Sequence, residues 1–152
     1  MNHQLQNHFT RSLITISPDE SVEKALMVMK NHHIRHLVVK AENGQVIGIL
    51  SDRDVYRAFS AEEKNVANIM SKHLLQFDIK TPMQRIVTEM IDRKVSAFLV
   101  TSQSEVIGII TSEDLLYLTA ELLKEDKPQK TLLENFVDAL KEVPISPITA
   151  YG

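Results

Sequence analysis

A shift of 61 residues lays the chain over itself, so that Leu13-Ile14-Thr15-Ile16 falls on Leu74-Leu75-Gln76-Phe77 and Ile34 through Val39 falls on Val95 through Val100. Dropping one residue from the turn that follows keeps the match going, with Val46-Ile47-Gly48-Ile49-Leu50-Ser51 over Val106-Ile107-Gly108-Ile109-Ile110-Thr111. Val22, Ala25, Leu26 and Met29 likewise fall on Met83, Ile86, Val87 and Met90. A duplication constrains the fold more than any single motif, because both copies must adopt one supersecondary unit and bury its apolar face. The chain has 152 residues, and a lone unit of about 60 residues buries too little surface to be comfortably stable. Two cooperating halves are therefore expected.

Within each copy the hydrophobic period changes in the same order. A short apolar strand, Leu13 to Ile16, precedes Ser17-Pro18-Asp19-Glu20, which offers capping residues and a first-turn proline, and Pro82 plays the same opening role in the second copy. Apolar residues at i, i+3, i+4 and i+7 then mark a helix with one buried face. Two runs rich in Val, Ile and Leu follow. In the first copy they are joined by Ala41-Glu42-Asn43-Gly44, a strong hairpin signal, and in the second by the glycine-free Ser102-Gln103-Ser104-Glu105. A last helix begins at Ser51 or Thr111, with Val55 and Phe59, or Leu115 and Leu118, on its inner side.

The expected fold is thus α/β (α+β), two tandem β-α-β-β-α units packed about a pseudo-twofold axis. The first unit is placed at residues 7–60 and the second at 66–124, with the polar connector Ser60 to Lys64 between them. Residues 125–152 are expected to form a C-terminal amphipathic helix over Thr131 to Lys141, followed by a proline-rich extended tail from Val143.

The candidate chemistry lies where a strand ends and a helix begins: Gly48 to Asp54 reads GILSDRD, and Gly108 to Leu115 reads GIITSEDL. A hydroxyl followed three residues later by a carboxylate has two readings. Ser51 with Asp54, or Thr111 with Asp114, can close a capping box worth about 1 kcal/mol. Alternatively the carboxylate can accept both hydroxyls of a ribose diol while the hydroxyl and free helix amides hold phosphate oxygens. Recurrence at equivalent places favours the second reading, with Gly48 and Gly108 expected to let the backbone approach a ligand.

Other signals exclude more than they assign. With 43% hydrophobic and 24% charged residues, four Gly and five Pro, the composition is that of an ordinary globular chain. A net charge of −3 gives no electrostatic support to nucleic-acid binding. The absence of cysteine rules out disulfides and thiolate chemistry, and no apolar run approaches the roughly 20 residues of a membrane span. A cytoplasmic location is expected. His32, His33 and His36 read as a solvated helix end and not as a metal site. No catalytic triad, P-loop or paired carboxylates stand out, so neither catalytic residues nor a catalytic cofactor is assigned, and the chain is not read as an enzyme.

The repeated pattern, the sequence IRHLVV at Ile34 to Val39 and the two G-h-h-[ST]-x-x-D junctions together resemble a tandem pair of cystathionine-beta-synthase (CBS) domains, a Bateman module, over roughly Asn7 to Leu123. The resemblance implies a regulatory module that binds an adenine nucleotide (AMP, ADP, ATP or a related adenosyl ligand) in two clefts between the repeats. It also implies a homodimer acting on a partner protein in trans. A dimerisation or interaction module of the same fold without a nucleotide ligand is the alternative. Carried over by position, one cleft would combine Thr111 and Asp114 with Ile14, Ile34, Arg35 and His36, the isoleucines against adenine and Arg35 and His36 towards phosphate. The other would combine Ser51, Arg53 and Asp54 with Leu75, Val95, Ser96 and Ala97, with Arg53 as phosphate cation. Because Arg35 and His36 are assigned to the Thr111 cleft, Asp114 is expected to matter more to binding than Asp54.

Overall fold

A computed structural model of the chain describes residues 8–124 together with Val137 and Asp138. The first repeat runs β1 (Thr15–Ile16), α1 (Val22–His32), β2 (His36–Lys40), β3 (Val46–Ser51) and α2 (Asp52–Ser60). A short helix α3 (Val66–Ile69) leads into the second: β4 (Gln76–Asp78), α4 (Met83–Arg93), β5 (Ala97–Ser102), β6 (Glu105–Thr111) and α5 (Ser112–Lys124). Each repeat forms one three-stranded sheet, ordered β1-β2-β3 and β4-β5-β6, with the first pair parallel and the second antiparallel. The α/β fold of two β-α-β-β-α units is as the sequence implies. The C-terminal helix and extended tail expected beyond residue 124 lie outside the described residues, save Val137 and Asp138, which are helical.

The duplication holds in register. Thr15 pairs with Val38 and Gln76 with Leu99, and the bulge at Val39/Lys40 recurs at Val100/Thr101. The first hairpin turns on Gly44, whose φ of 81° suits a residue without Cβ, and Asn43 Oδ1 accepts from Gln45 N at 3.0 Å. The second makes the same reversal without glycine, placing Gln103 and Ser104 at φ 50° and 70°.

Each sheet buries its own core against its helices. The first holds Val22, Ala25 and Met29 of α1 against Leu37, Val39 and Leu50, and the second holds Met83, Ile86 and Met90 of α4 against Phe98, Val100 and Ile110. Two expectations need correction. The first helix starts at Val22, capped by Ser21 Oγ accepting from Lys24 N at 3.1 Å, while Ser17 to Glu20 form a turn. The start is fixed from outside the segment, since Val22 N donates to Lys64 O and Val66 N to Glu20 O. Phe59 is 42% exposed, and Ala58 occupies the inward position beside Val55 in α2.

The repeats are joined by a reciprocal exchange. Thr10 and Ile109 trade two backbone hydrogen bonds, 2.9 and 3.0 Å, so the segment before the first repeat borders β6 of the second. Ser71 and Ile49 trade two of the same lengths, bordering β3 of the first. Thr10 and Ser71 are equivalent under the duplication, as are Ile49 and Ile109, so the exchange relates the halves by a pseudo-twofold. It also covers two sheet edges that would otherwise expose unpaired backbone groups.

Candidate functional site

Both helix starts close a capping box. Ser51 N donates to Asp54 Oδ2 at 2.9 Å and Asp54 N to Ser51 Oγ at 3.3 Å, while Thr111 N donates to Asp114 Oδ2 at 2.7 Å and Asp114 N to Thr111 Oγ1 at 3.3 Å. Each hydroxyl also donates to the same Oδ2. Every one of these bonds to a carboxylate ends on Oδ2, which leaves Oδ1 of Asp54 and of Asp114 outside the box. Capping and ligand binding are therefore compatible at one carboxylate.

Each junction faces a cleft whose opposite wall comes from the other repeat. The first cleft, about 130 Å³, has Thr111 and Asp114 on one side and Ile14, Ile34, Arg35 and His36 on the other. The second, about 170 Å³, brings Ser51, Arg53 and Asp54 to Leu75, Val95, Ser96 and Ala97. Every candidate residue lines the cleft to which the sequence assigned it. The glycines act otherwise than expected. A Cβ on Gly48 would come within 2.6 Å of Met70 Sδ, and one on Gly108 within 2.4 Å of the Phe9 ring and 2.5 Å of Thr10 O. They admit the crossing segment of the other repeat, which fills that space.

Arg35, His36 and Ser96 line both clefts and form their common wall. Arg35 Nε donates to Asp52 Oδ2 at 2.8 Å, and its Nη1 lies 3.8 Å from Glu113 Oε1. Asp52 thereby holds the guanidinium still more firmly charged, first by the hydrogen bond and then by its charge. Burial works to raise the Asp52 carboxyl, but the bond and charge of Arg35 outweigh it and keep it below the usual range. With Arg35 54% exposed, the pair contributes about 1 kcal/mol or less, so a ligand phosphate can displace Asp52 at low cost. His36 Nε2 lies 3.1 Å from Ser96 Oγ, and burial lowers its pKa below 6.5, which favours the neutral ring at neutral pH. The resemblance turned both side chains towards phosphate in one cleft; they stand between the two, and burial disfavours the charged form of His36.

Sequence reasoning missed Lys94 and His73 of the second cleft and the aromatic Tyr117 of the first. Lys94 could have been found, since it directly precedes Val95; nothing in the motif marks His73 or Tyr117. Among the described residues no group of three or more His, Asp or Glu side chains could hold a metal ion, and no helix is long and apolar enough to cross a membrane.

A family model described as CBS domain matches residues 7–61 and 66–121. An uncharacterized protein of Methanocaldococcus jannaschii is 28% identical over 142 residues, covering 90% of this chain, and the chain spans 33% of that relative's length. Among solved structures, the CBS domain pair of protein MJ0100, in complex with 5′-methylthioadenosine and S-adenosyl-L-methionine, superposes with a TM-score of 0.74 at 24% identity, covering 80% of this chain and 98% of that one. The protein CBSX2 in complex with AMP gives 0.70 at 20% identity, with 80% and 98% covered.

Proposed function

The chain belongs to the CBS-domain family, and we propose that it is a regulatory module that binds an adenine nucleotide or related adenosyl ligand in its two clefts and passes the binding on to a partner protein. One observation carries this reading. The same hydroxyl-x-x-carboxylate junction faces, in each cleft, a pair of apolar residues from the opposite repeat, Ile14 with Ile34 or Leu75 with Val95. An apolar pair beside a carboxylate with one oxygen outside its cap suits a purine and its ribose diol, and the amides of a helix start suit phosphate. The adenosyl ligands of the MJ0100 pair and of CBSX2 support the assignment. The reading assigns the clefts binding and not turnover. The same proposal includes a homodimer working in the cytoplasm.

A second reading has an observation in its favour. The capping boxes are complete, so both junctions are sufficiently explained as helix starts in an interaction module without a nucleotide. Thermal unfolding with millimolar AMP, ADP, ATP and S-adenosylmethionine separates the two. Micromolar binding is expected, and a ligand at 100 times its Kd adds about 2.7 kcal/mol. Unchanged melting with all four favours the second reading.

A further inference from the structure

Resting on the adenosyl-binding reading, we propose that the two clefts are built for different ligands: the Ser51 cleft for one that carries phosphate, the Thr111 cleft for one whose 5′ substituent is uncharged or cationic. Arg35 lines both clefts and cannot distinguish them. What distinguishes them stands at equivalent positions of opposite sign. Arg53 is the second helical residue of α2 and Glu113 the second of α5, each beside a helix start that faces its cleft.

Around that difference the rest of the lining agrees. With Arg35 and Asp52 paired, the Ser51 cleft keeps Arg53 and Lys94 against Asp54, and His73 adds a ring nitrogen to its lining. The Thr111 cleft keeps Glu113 and Asp114, with no cation besides Arg35 and no Lys among its described lining residues. A phosphate dianion entering there meets two carboxylates, and the one cation at hand, Arg35, is shared between Asp52 and Glu113. Tyr117 instead gives that cleft an exposed aromatic face, where the equivalent Arg57 does not line the other. Such a face suits an apolar substituent or a cation. Opposite net charge within a few ångströms of a bound phosphate amounts to on the order of tenfold or more in affinity, even for half-exposed groups.

Calorimetric titration of the full chain with AMP, with 5′-methylthioadenosine, and with each at saturation of the other tests the proposal. One molecule of each is expected to bind, simultaneously and without competition. Lys94→Asn, chosen because Asn tolerates the left-handed φ of 54° at this helix end, is expected to weaken AMP about tenfold and leave 5′-methylthioadenosine within twofold. Glu113→Gln is expected to add a second AMP site, in the Thr111 cleft, that the parent chain lacks. Two AMP sites of equal affinity, mutual exclusion of the two ligands, binding of only one of them, or equal losses for both in Lys94→Asn would each overturn the proposal while leaving adenosyl binding in place. Failure of both ligands to bind would instead remove the functional reading on which it rests.

Discussion

His36 Nε2 and Ser96 Oγ meet at 3.1 Å, one from each repeat, in the wall that the two clefts share. The bond draws on a ring that burial holds neutral, so protonation disfavours the folded state. The pKa of His36 is lowered on folding, hence stability attributable to it is fully present above the ordinary histidine value of about 6.5 and is lost as pH falls through the lower, folded value. Melting temperatures of the parent chain and of His36→Gln, which keeps a polar partner for Ser96 but cannot titrate, should run parallel from pH 8 to pH 7. Below about pH 6.5 the parent should lose stability faster. Parallel curves down to pH 5 would mean that His36 titrates as freely when folded as when unfolded.

The crossing segments make a second expectation sharp. Gly108→Ala sets a Cβ against the Phe9 ring and the Thr10 carbonyl, and Gly48→Ala sets one against the flexible end of Met70. A methionine tip can move aside; a backbone oxygen that accepts from Ile109 N, on a residue whose own N–H donates back to Ile109 O, cannot. Gly108→Ala should therefore cost about 1 to 3 kcal/mol, and Gly48→Ala clearly less. Urea unfolding of both variants checks the order, and equal losses would show that the first segment yields as readily as the second.

Those glycines also mark where reading the sequence stops. Element order, hairpins and buried helix faces were legible because burial repeats with a fixed period and the duplication states each element twice. The start of α1 was not, because Ser17-Pro18 and Ser21 both suit a helix start and the choice is made by bonds from Lys64 and Val66. Gly48 and Gly108 looked like ligand approaches since Phe9 and Met70 reach them only through the exchange between repeats. The candidate residues line two clefts, but the charges around them do not divide one set to each cleft. Arg35 is claimed by Asp52 and approached by Glu113, residues on different repeats, a fact of tertiary geometry that no spacing along the chain contains.

Self-association should use exposed apolar residues and not the buried face of α1. Ala25 and Met29 of α1 are buried in the core of their own repeat, whereas Met27, Tyr56, Ile91 and Leu116 are exposed by 47 to 69%. Tyr56 and Leu116 are equivalent under the duplication and extend α2 and α5 with matching apolar surface. Light scattering at tens of micromolar chain should give a dimer mass, and Tyr56→Glu with Leu116→Glu should reduce it to a monomer while the melting profile remains cooperative. A monomer mass for the parent chain would end the homodimer proposal.

The sharpest separation of cap from ligand lies in Asp54 and Asp114. Each carboxylate uses Oδ2 in its capping box, and Asn in its place keeps the shape and an acceptor oxygen for the cap. On capping alone, Asp54→Asn or Asp114→Asn should cost a few tenths to about 1 kcal/mol of stability and leave binding untouched. If Oδ1 accepts from a ribose hydroxyl, the loss of charge should weaken binding in that cleft about tenfold, or about 1.4 kcal/mol, beyond any change in folding. The order of the two sites then depends on the ligand. Sequence reasoning ranked Asp114 first because Arg35 and His36 were both assigned to its cleft; with Arg35 shared and His36 neutral, the phosphate cations left to a single cleft are Arg53 and Lys94, beside Asp54. For AMP, Asp54→Asn should be the more damaging, and Asp114→Asn should act on a ligand without phosphate. Calorimetry of both variants with AMP and with 5′-methylthioadenosine, alongside their unfolding curves, decides the matter: losses confined to stability return both carboxylates to the role of helix caps, and a larger AMP loss at Asp114 restores the ranking drawn from the sequence.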